Sequence, residues 1–295
     1  MEKKKIYALG FFDGVHLGHQ ALLAACRRMA EETGAAAGAV TFLGHPATLT
    51  SGVAPLLINT AADRKRLLLG FGMEEVVELP FDRDLMTMSH TVFLKMLMAN
   101  YNAAGFVCGE DFRYGRYGAG NADTLRDFCA AEGLPCAVVP QQKLDGVTIS
   151  STHIRTLLEL GKVEEAERFL GHRHILTGMV VPGQQLGRTI GAPTANLVLP
   201  KGMLIPRFGV YICSAIVEGK AYSAVTNVGI RPTMGGKFVT VEAWILDFEG
   251  ELYGKEISLE MRAFLRPERK FPSVKELQKE IEKNAVQTRE FFQKS

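Results

Sequence analysis

The chain has 295 residues, 47% of them hydrophobic and 22% charged. That is the composition of a soluble globular protein, and the length predicts two domains instead of one core. Lys and Arg total 34 against 32 Asp and Glu, a net charge of only +2, so no basic face for nucleic acid is expected.

The Lys3-Lys4-Lys5 run reads as a solvated terminus. The apolar run 6–12 stops at Asp13, too short for a signal peptide. No apolar stretch approaches the ~18 residues of a membrane span. The five cysteines (26, 108, 129, 136 and 213) are odd in number and contain no Cys-x-x-Cys pair, so neither a disulfide framework nor zinc is indicated. The expectation is a reduced, cytoplasmic protein.

In the first half, strand-like runs at 6–9, 37–42, 75–79, 105–108 and 136–139 alternate with helical patterns at 18–33, 60–70, 83–98 and 121–132. In the first helix Leu22, Leu23, Cys26 and Met29 share one face, with Arg27 and Arg28 opposite. Strands separated by helices of this length predict βαβ units and a parallel sheet, which binds ligands beyond the carboxyl ends of its strands.

Residues 10–19, Gly-Phe-Phe-Asp-Gly-Val-His-Leu-Gly-His, lie at such an end. A helix starting near Gly18 offers partial positive charge and N–H donors, and His16 and His19 add donors for an oxyanion. The bland reading makes His16 a cap and His19 a half-buried core histidine. Two imidazoles three apart, framed by Gly10, Gly14 and Gly18, favour a phosphate site. A shared metal is weaker, because no nearby carboxylate or cysteine completes a shell. Short helices follow at 150–159 and 162–170. The first opens on Ser150, Ser151 and Thr152, with Arg155 a turn later. These groups suit either an ordinary N-cap or phosphate oxygens.

The texture changes near Gly171-His172-Arg173. Short β-rich runs at 175–181, 210–217, 221–228, 239–248 and 256–264 are separated by Glu218-Gly219, Gly235-Gly236 and Glu249-Gly250, which suggests a small barrel or sandwich. A closing helix at 273–292 has Leu277, Ile281 and Phe291 as its apolar side. Within residues 187–196, Gly-Arg-Thr-Ile-Gly-Ala-Pro-Thr-Ala-Asn, Thr194 and Asn196 face one side if extended and are hard ligands suited to Mg²⁺. The same residues also suit a plain turn. Glu242 stands in the β-prone run 239–246, on the face of Thr240, Trp244 and Leu246. It is either a sheet-surface residue or a general base whose pKa burial would raise. Both faces carry apolar side chains, so alternation leaves the inner face open.

The elements Phe12-Asp13-Gly14-Val15-His16-Leu17-Gly18-His19 and Ser150-Ser151-Thr152-His153-Ile154-Arg155 resemble the HxGH nucleotidyltransferases. More narrowly, with Thr41-Phe42, His45-Pro46 and residues 108–115 between them, they resemble the N-terminal half of the prokaryotic bifunctional riboflavin kinase/FAD synthetases. Residues 187–196, 227–233, Val241-Glu242 and 265–271 resemble riboflavin kinase. The resemblance spans nearly the whole chain in family order.

It implies an α/β, Rossmann-like HxGH nucleotidyltransferase domain over 1–172. A small six-stranded antiparallel β-barrel with a C-terminal helix would occupy 173–295. It implies phosphorylation of riboflavin to FMN and transfer of an adenylyl group from ATP to FMN, releasing pyrophosphate. His16 and His19 would then stabilise charge on the ATP phosphates, held by Gly10, Asp13, Gly18, Ser151, Thr152 and Arg155. Asp111 and Phe112 would line the flavin. In the kinase, Gly187, Arg188, Gly191 and Pro193 would bind ATP, Thr194 and Asn196 the Mg²⁺, and Glu242 would act as base. The implied partners are riboflavin, FMN and ATP, with a homo-oligomer left open.

Three residues depart from the family pattern: Ala192, where a larger side chain is usual; Trp244, where a smaller polar or ring residue is expected; and Pro182. Each bears on ATP or flavin packing. A chain keeping only one activity, or a flavin sensor without turnover, are the competing readings. A dinucleotide-binding dehydrogenase is disfavoured, because the first turn lacks Gly-x-Gly-x-x-Gly and no suitable acid follows about twenty residues on.

Overall fold

The computed structural model describes residues 3–50, 52–183, 191–233 and 236–294. Contacts divide the chain into two compact units, Met1–Leu57 with Ala61–Ser151, and Ile58–Thr60 with Thr152–Ser295.

The first unit runs β1 (Lys5–Leu9), α1 (Leu17–Thr33), β2 (Ala36–Leu43), α2 (Ala47–Thr50), α3 (Ala61–Gly70), β3 (Glu75–Pro80), α4 (Arg83–Thr87), α5 (His90–Tyr101), β4 (Ala103–Gly109), α6 (Ala122–Glu132) and β5 (Cys136–Val139). A small hairpin, β6 (Lys143–Leu144) and β7 (Val147–Thr148), follows. The five long strands form one parallel sheet in the order β3-β2-β1-β4-β5. Both faces are covered, so alternate residues of β1 enter different cores. Tyr7 and Leu9 pack with Phe93, Leu94 and Leu125 on one side. Ile6 and Ala8 pack with Leu22, Leu23 and Cys26 on the other. The order reverses between β1 and β4, so the loops leaving those strands flank the switch point where such sheets take ligands.

The expected single helix over 83–98 is two helices. Met88 turns extended (ψ 132°) and Ser89 accepts a hydrogen bond from the Val92 N–H at 3.3 Å, starting α5 afresh.

The second unit carries most of α7 (Ser151–Glu159), then α8 (Val163–Leu170), β8 (Ile175–Val181), β9 (Ala195–Val198), β10 (Gly209–Val217), β11 (Lys220–Thr233), β12 (Gly236–Ile245), β13 (Glu256–Arg266) and α9 (Val274–Lys294). The six strands close an antiparallel barrel in the order β10-β11-β12-β9-β8-β13. β9 starts on the last two residues of the Gly- and Pro-rich motif and runs on to Val198, where no strand was expected. The Glu218-Gly219 pair makes a two-residue hairpin with φ of 49° and 80°. Gly235 lies outside the described residues.

The change of texture is expected near 171–173; contacts group residues 152–295 into the second unit. The reason is local. The Arg207 N–H donates to the Leu158 carbonyl at 3.0 Å, and His153 packs edge-on to Phe169. The two short helices therefore belong with the barrel. In α9 the expected apolar side, Leu277, Ile281 and Phe291, is only half-buried; Asn284, Ala285 and Thr288 are the buried residues. A polar seam explains this. Arg266 donates through Nε to Asn284 Oδ1 at 3.2 Å, and Thr288 donates to the Asn284 carbonyl at 2.8 Å. No described helix is long and apolar enough to cross a membrane. All five cysteines are free thiols.

Candidate active sites

The loop from Gly10 to His19 is held from behind by its own backbone. The Gly10 N–H donates to the Val40 carbonyl at 3.2 Å, and Thr41 Oγ1 donates to the Phe11 carbonyl at 2.9 Å. Ser151 Oγ donates to the Asp13 carbonyl at 2.8 Å, and Gln20 Nε2 to the Val15 carbonyl at 2.9 Å. Phe12, Gly14 and Val15 have positive φ (58°, 84° and 37°). For a β-branched residue that is strain, and it persists because Phe12 and Val15 are both fully buried in the α1-side core.

His16 is the N-cap of α1. Its Nδ1 accepts from the His19 N–H at 3.3 Å, which leaves Nε2 to carry the proton of the neutral ring. The two imidazoles stack, with centroids 3.6 Å apart and 13° between planes. Gly18 makes room: a Cβ there would meet the His16 ring at 3.2 Å. The His-x-Gly-His spacing is therefore a packing requirement. Burial, then the neighbouring His16 and then Arg64, hold the His19 pKa well below the ordinary imidazole value. His19 is therefore neutral at neutral pH.

Ser151 opens α7 and is bonded to the first loop. Thr152 and Arg155 follow on that helix, within the second unit. Asp111 and Phe112 leave β4 at the switch point. Asp111 is exposed and its Oδ2 accepts from Gln141 Nε2 at 3.4 Å; Phe112 stacks on Tyr114 at 5.5 Å. Asp13 is buried in the loop at 2% exposure.

Sequence reading missed Arg64 on α3. It is only 1% exposed; Nη2 donates to the Phe42 carbonyl at 2.6 Å and its carbon lies 4.6 Å from the centre of the Phe11 ring. Phe11 in turn meets His45 edge-on at 4.7 Å. Nothing in the helical pattern of 61–70 distinguishes a buried Arg64 from its neighbours Lys65 and Arg66, because its burial is tertiary.

In the barrel, Val241, Ala243 and Ile245 point inward and are buried, which puts Glu242 half-buried on the outer face with Thr240 and Trp244. Register completes the site. Glu242 pairs with Asn196 on β9 and with Asn227 on β11. Directly opposed residues share a face, so Asn196, Glu242 and Asn227 form one polar row across three strands. Gly183 lets this row close: a Cβ there would sit 2.3 Å from Asn196 Nδ2. That nitrogen also lies 3.5 Å from the Thr194 carbonyl, which leaves Asn196 Oδ1 as the atom available to a cation. Among the described residues no group of three or more His, Cys, Asp or Glu side chains could hold a metal. The donor set fits Mg²⁺ held by one or two protein oxygens and completed by phosphates and water.

Beside Thr194 a hollow of about 100 Å³ is lined by Val180, Pro193, Phe248, Leu252 and Tyr253. Pro193 is exposed, and Gly191, two residues before it, has a positive φ (76°). Gly187 and Arg188 lie outside the described residues. Ala192 is buried, Pro182 ends β8 exposed, and Trp244 packs against an outer cluster of Val210, Val225, Leu246 and Ala285.

A family model described as FAD synthetase matches residues 1–153, and one described as riboflavin kinase matches residues 170–292. The bifunctional riboflavin kinase/FMN adenylyltransferase of Bacillus subtilis (strain 168) is 36% identical over 296 residues, spanning 99% of this chain and 93% of that protein. Its Listeria monocytogenes counterpart is 33% identical over 294 residues, spanning 98% and 93%. A crystal structure described as a macrolide-efflux protein from Streptococcus pneumoniae aligns with a TM-score of 0.86 at 30% identity, covering 98% of this chain and 95% of that one. Its description names a different activity, and the likeness is one of fold over the whole chain. The chain belongs to the bifunctional riboflavin kinase/FMN adenylyltransferase family.

Proposed function

We infer that the two units divide the work of making FAD, the barrel phosphorylating riboflavin to FMN and the parallel-sheet unit adenylylating FMN, with ATP as co-substrate for both. The observation that carries this division is chemical. One site presents a buried, stacked histidine pair at a helix start; the other presents a carboxylate between two asparagines.

The two nucleophiles differ. A phosphate attacking the α-phosphorus of ATP is already an anion, so the adenylylation site needs donors and position more than a base. Neutral His16 and His19, with the Gly10 and Gly18 backbone, serve there as donors to developing charge on the phosphates. Asp13 and Ser151 fix the loop that carries them, while Thr152 and Arg155 hold phosphate oxygens. Asp111 and Phe112 take the flavin side. The riboflavin 5′-hydroxyl is neutral and needs its proton removed. Glu242 takes that proton, and Asn196 and Asn227 hold the carboxylate in place from either side. Thr194 and Asn196 would hold Mg²⁺, which when bound shields the charge of the ATP phosphates. The hollow beside Thr194 suits an apolar base, and Gly187, Arg188, Gly191 and Pro193 cover the nucleotide. The activities change over between 151 and 172. The cytoplasm is the compartment where ATP and reduced thiols coexist.

His16→Ala tests the first site. FMN adenylylation should fall by about 10²-fold or more, the range for removing a donor from a developing anion, while riboflavin phosphorylation by the same preparation stays at the wild-type rate. Equal loss of both would remove the division.

A further inference from the structure

The histidine pair poses a problem of charge. Burial keeps His19 neutral, and the His16 Nδ1 that accepts from the His19 N–H carries no proton, so that ring bears one proton, on Nε2, and no charge. A phosphate entering loop 10–19 therefore meets donors but no cation from the pair itself. The nearest buried cation in the same unit is Arg64.

Arg64 is incompletely answered by protein. Nη2 reaches the Phe42 carbonyl, but Nε and Nη1 are buried and have no hydrogen-bond partner among the described residues. Asp13 and Glu78 pull its pKa upward, yet burial presses it below the ordinary value, so desolvation exceeds their compensation. A guanidinium held this way is expensive, and an aliphatic side chain would fill the space at lower cost. Its surroundings lead to the loop. Phe11, beneath the guanidinium, belongs to the loop, and the charge is felt by both Asp13 and His19.

We propose that Arg64 is a positioning residue for adenylyl transfer: a fixed cation behind loop 10–19 whose charge is matched only when a substrate phosphate enters. The inference rests on the assignment of that loop to adenylyl transfer. It acts through the field and through Phe11, with no contact to substrate required. The shared chemistry is a phosphate oxyanion, either the FMN phosphate or the β,γ-phosphates of ATP that leave as pyrophosphate.

Arg64→Met keeps bulk without charge; Arg64→Lys keeps charge. FMN adenylylation is measured forward, and FAD pyrophosphorolysis in reverse, where a pyrophosphate oxygen attacks the adenylyl phosphorus and FMN leaves. Arg64→Met should raise the KM for FMN or for pyrophosphate by about tenfold or more, and whichever rises identifies the phosphate. Arg64→Lys should restore most of that loss, and riboflavin phosphorylation should match wild type in both. Unchanged KM values in Arg64→Met, a fall confined to kcat, or equal damage in Met and Lys variants would overturn the proposal. So would failure of both Arg64→Met and Arg64→Gln to fold, which would make Arg64 structural. A wild-type protein that makes no FAD from FMN would instead sink the loop's assignment.

Discussion

His16 caps α1 through Nδ1, and the bond it accepts there leaves Nε2 as the nitrogen that keeps the proton; in the proposed site that proton is offered to a substrate phosphate. Gly18 is the residue that permits this, and it separates stability from activity. Gly18→Ala adds a better helix former, worth up to about 1 kcal/mol, but moving the capping ring costs a similar amount, so stability should change by no more than about 1 kcal/mol. The new methyl, 3.2 Å from the ring, should displace His16 and lower adenylylation by roughly tenfold. Thermal melts and FMN adenylylation of the same variant check both halves; full activity would mean that the ring position is not critical. At this scale the histidines were legible because they are neighbours in sequence at a strand end. Arg64 was not, because only packing distinguishes it from Lys65 and Arg66. Asn227 gained its place beside Glu242 only from the register of β11 against β12.

Elements with strong periodicity read well. The five parallel strands and α1 fall where apolar runs and spacing put them. The exceptions have local causes: Ser89 restarts a helix, β9 hides among Gly and Pro, and α9 buries a polar seam. The start of β8 carries another feature that sequence does not reveal. His174 is 1% exposed, its ring nitrogens have no partner among the described residues, and burial, with a smaller push from His172, takes its pKa to about 3. In the unfolded chain it titrates near 6.5. Between those values the unfolded state binds the proton and the folded state does not, so stability is full above ~6.5 and falls as pH drops toward 3. At pH 4.5 this one group should cost the barrel about 2–3 kcal/mol relative to neutrality. Trp244, the chain's single tryptophan, reports on that unit. Urea unfolding followed by its fluorescence at pH 7 and 4.5 should show a steep acid loss in wild type and a shallower one in His174→Leu; equal slopes would contradict the assignment.

At the scale of the whole molecule, composition and texture were enough to predict two units of different class, an open parallel sheet and a small barrel or sandwich; that the second is a closed six-stranded barrel was implied only by the family resemblance. The helical patterns of α7 and α8 say nothing of which core they join; contacts group all but Ser151 of these helices with the second unit. The proposed chemistry follows the same partition: uncharged donors for an anionic nucleophile in one unit, a carboxylate for an alcohol in the other. Glu242→Gln measures that partition most directly. Given riboflavin, ATP and Mg²⁺, this variant should form FMN, and hence FAD, about 10²–10⁴-fold more slowly than wild type. Given FMN and ATP it should form FAD at the wild-type rate. Loss of FAD synthesis from supplied FMN, or undiminished FMN formation from riboflavin, would contradict the account.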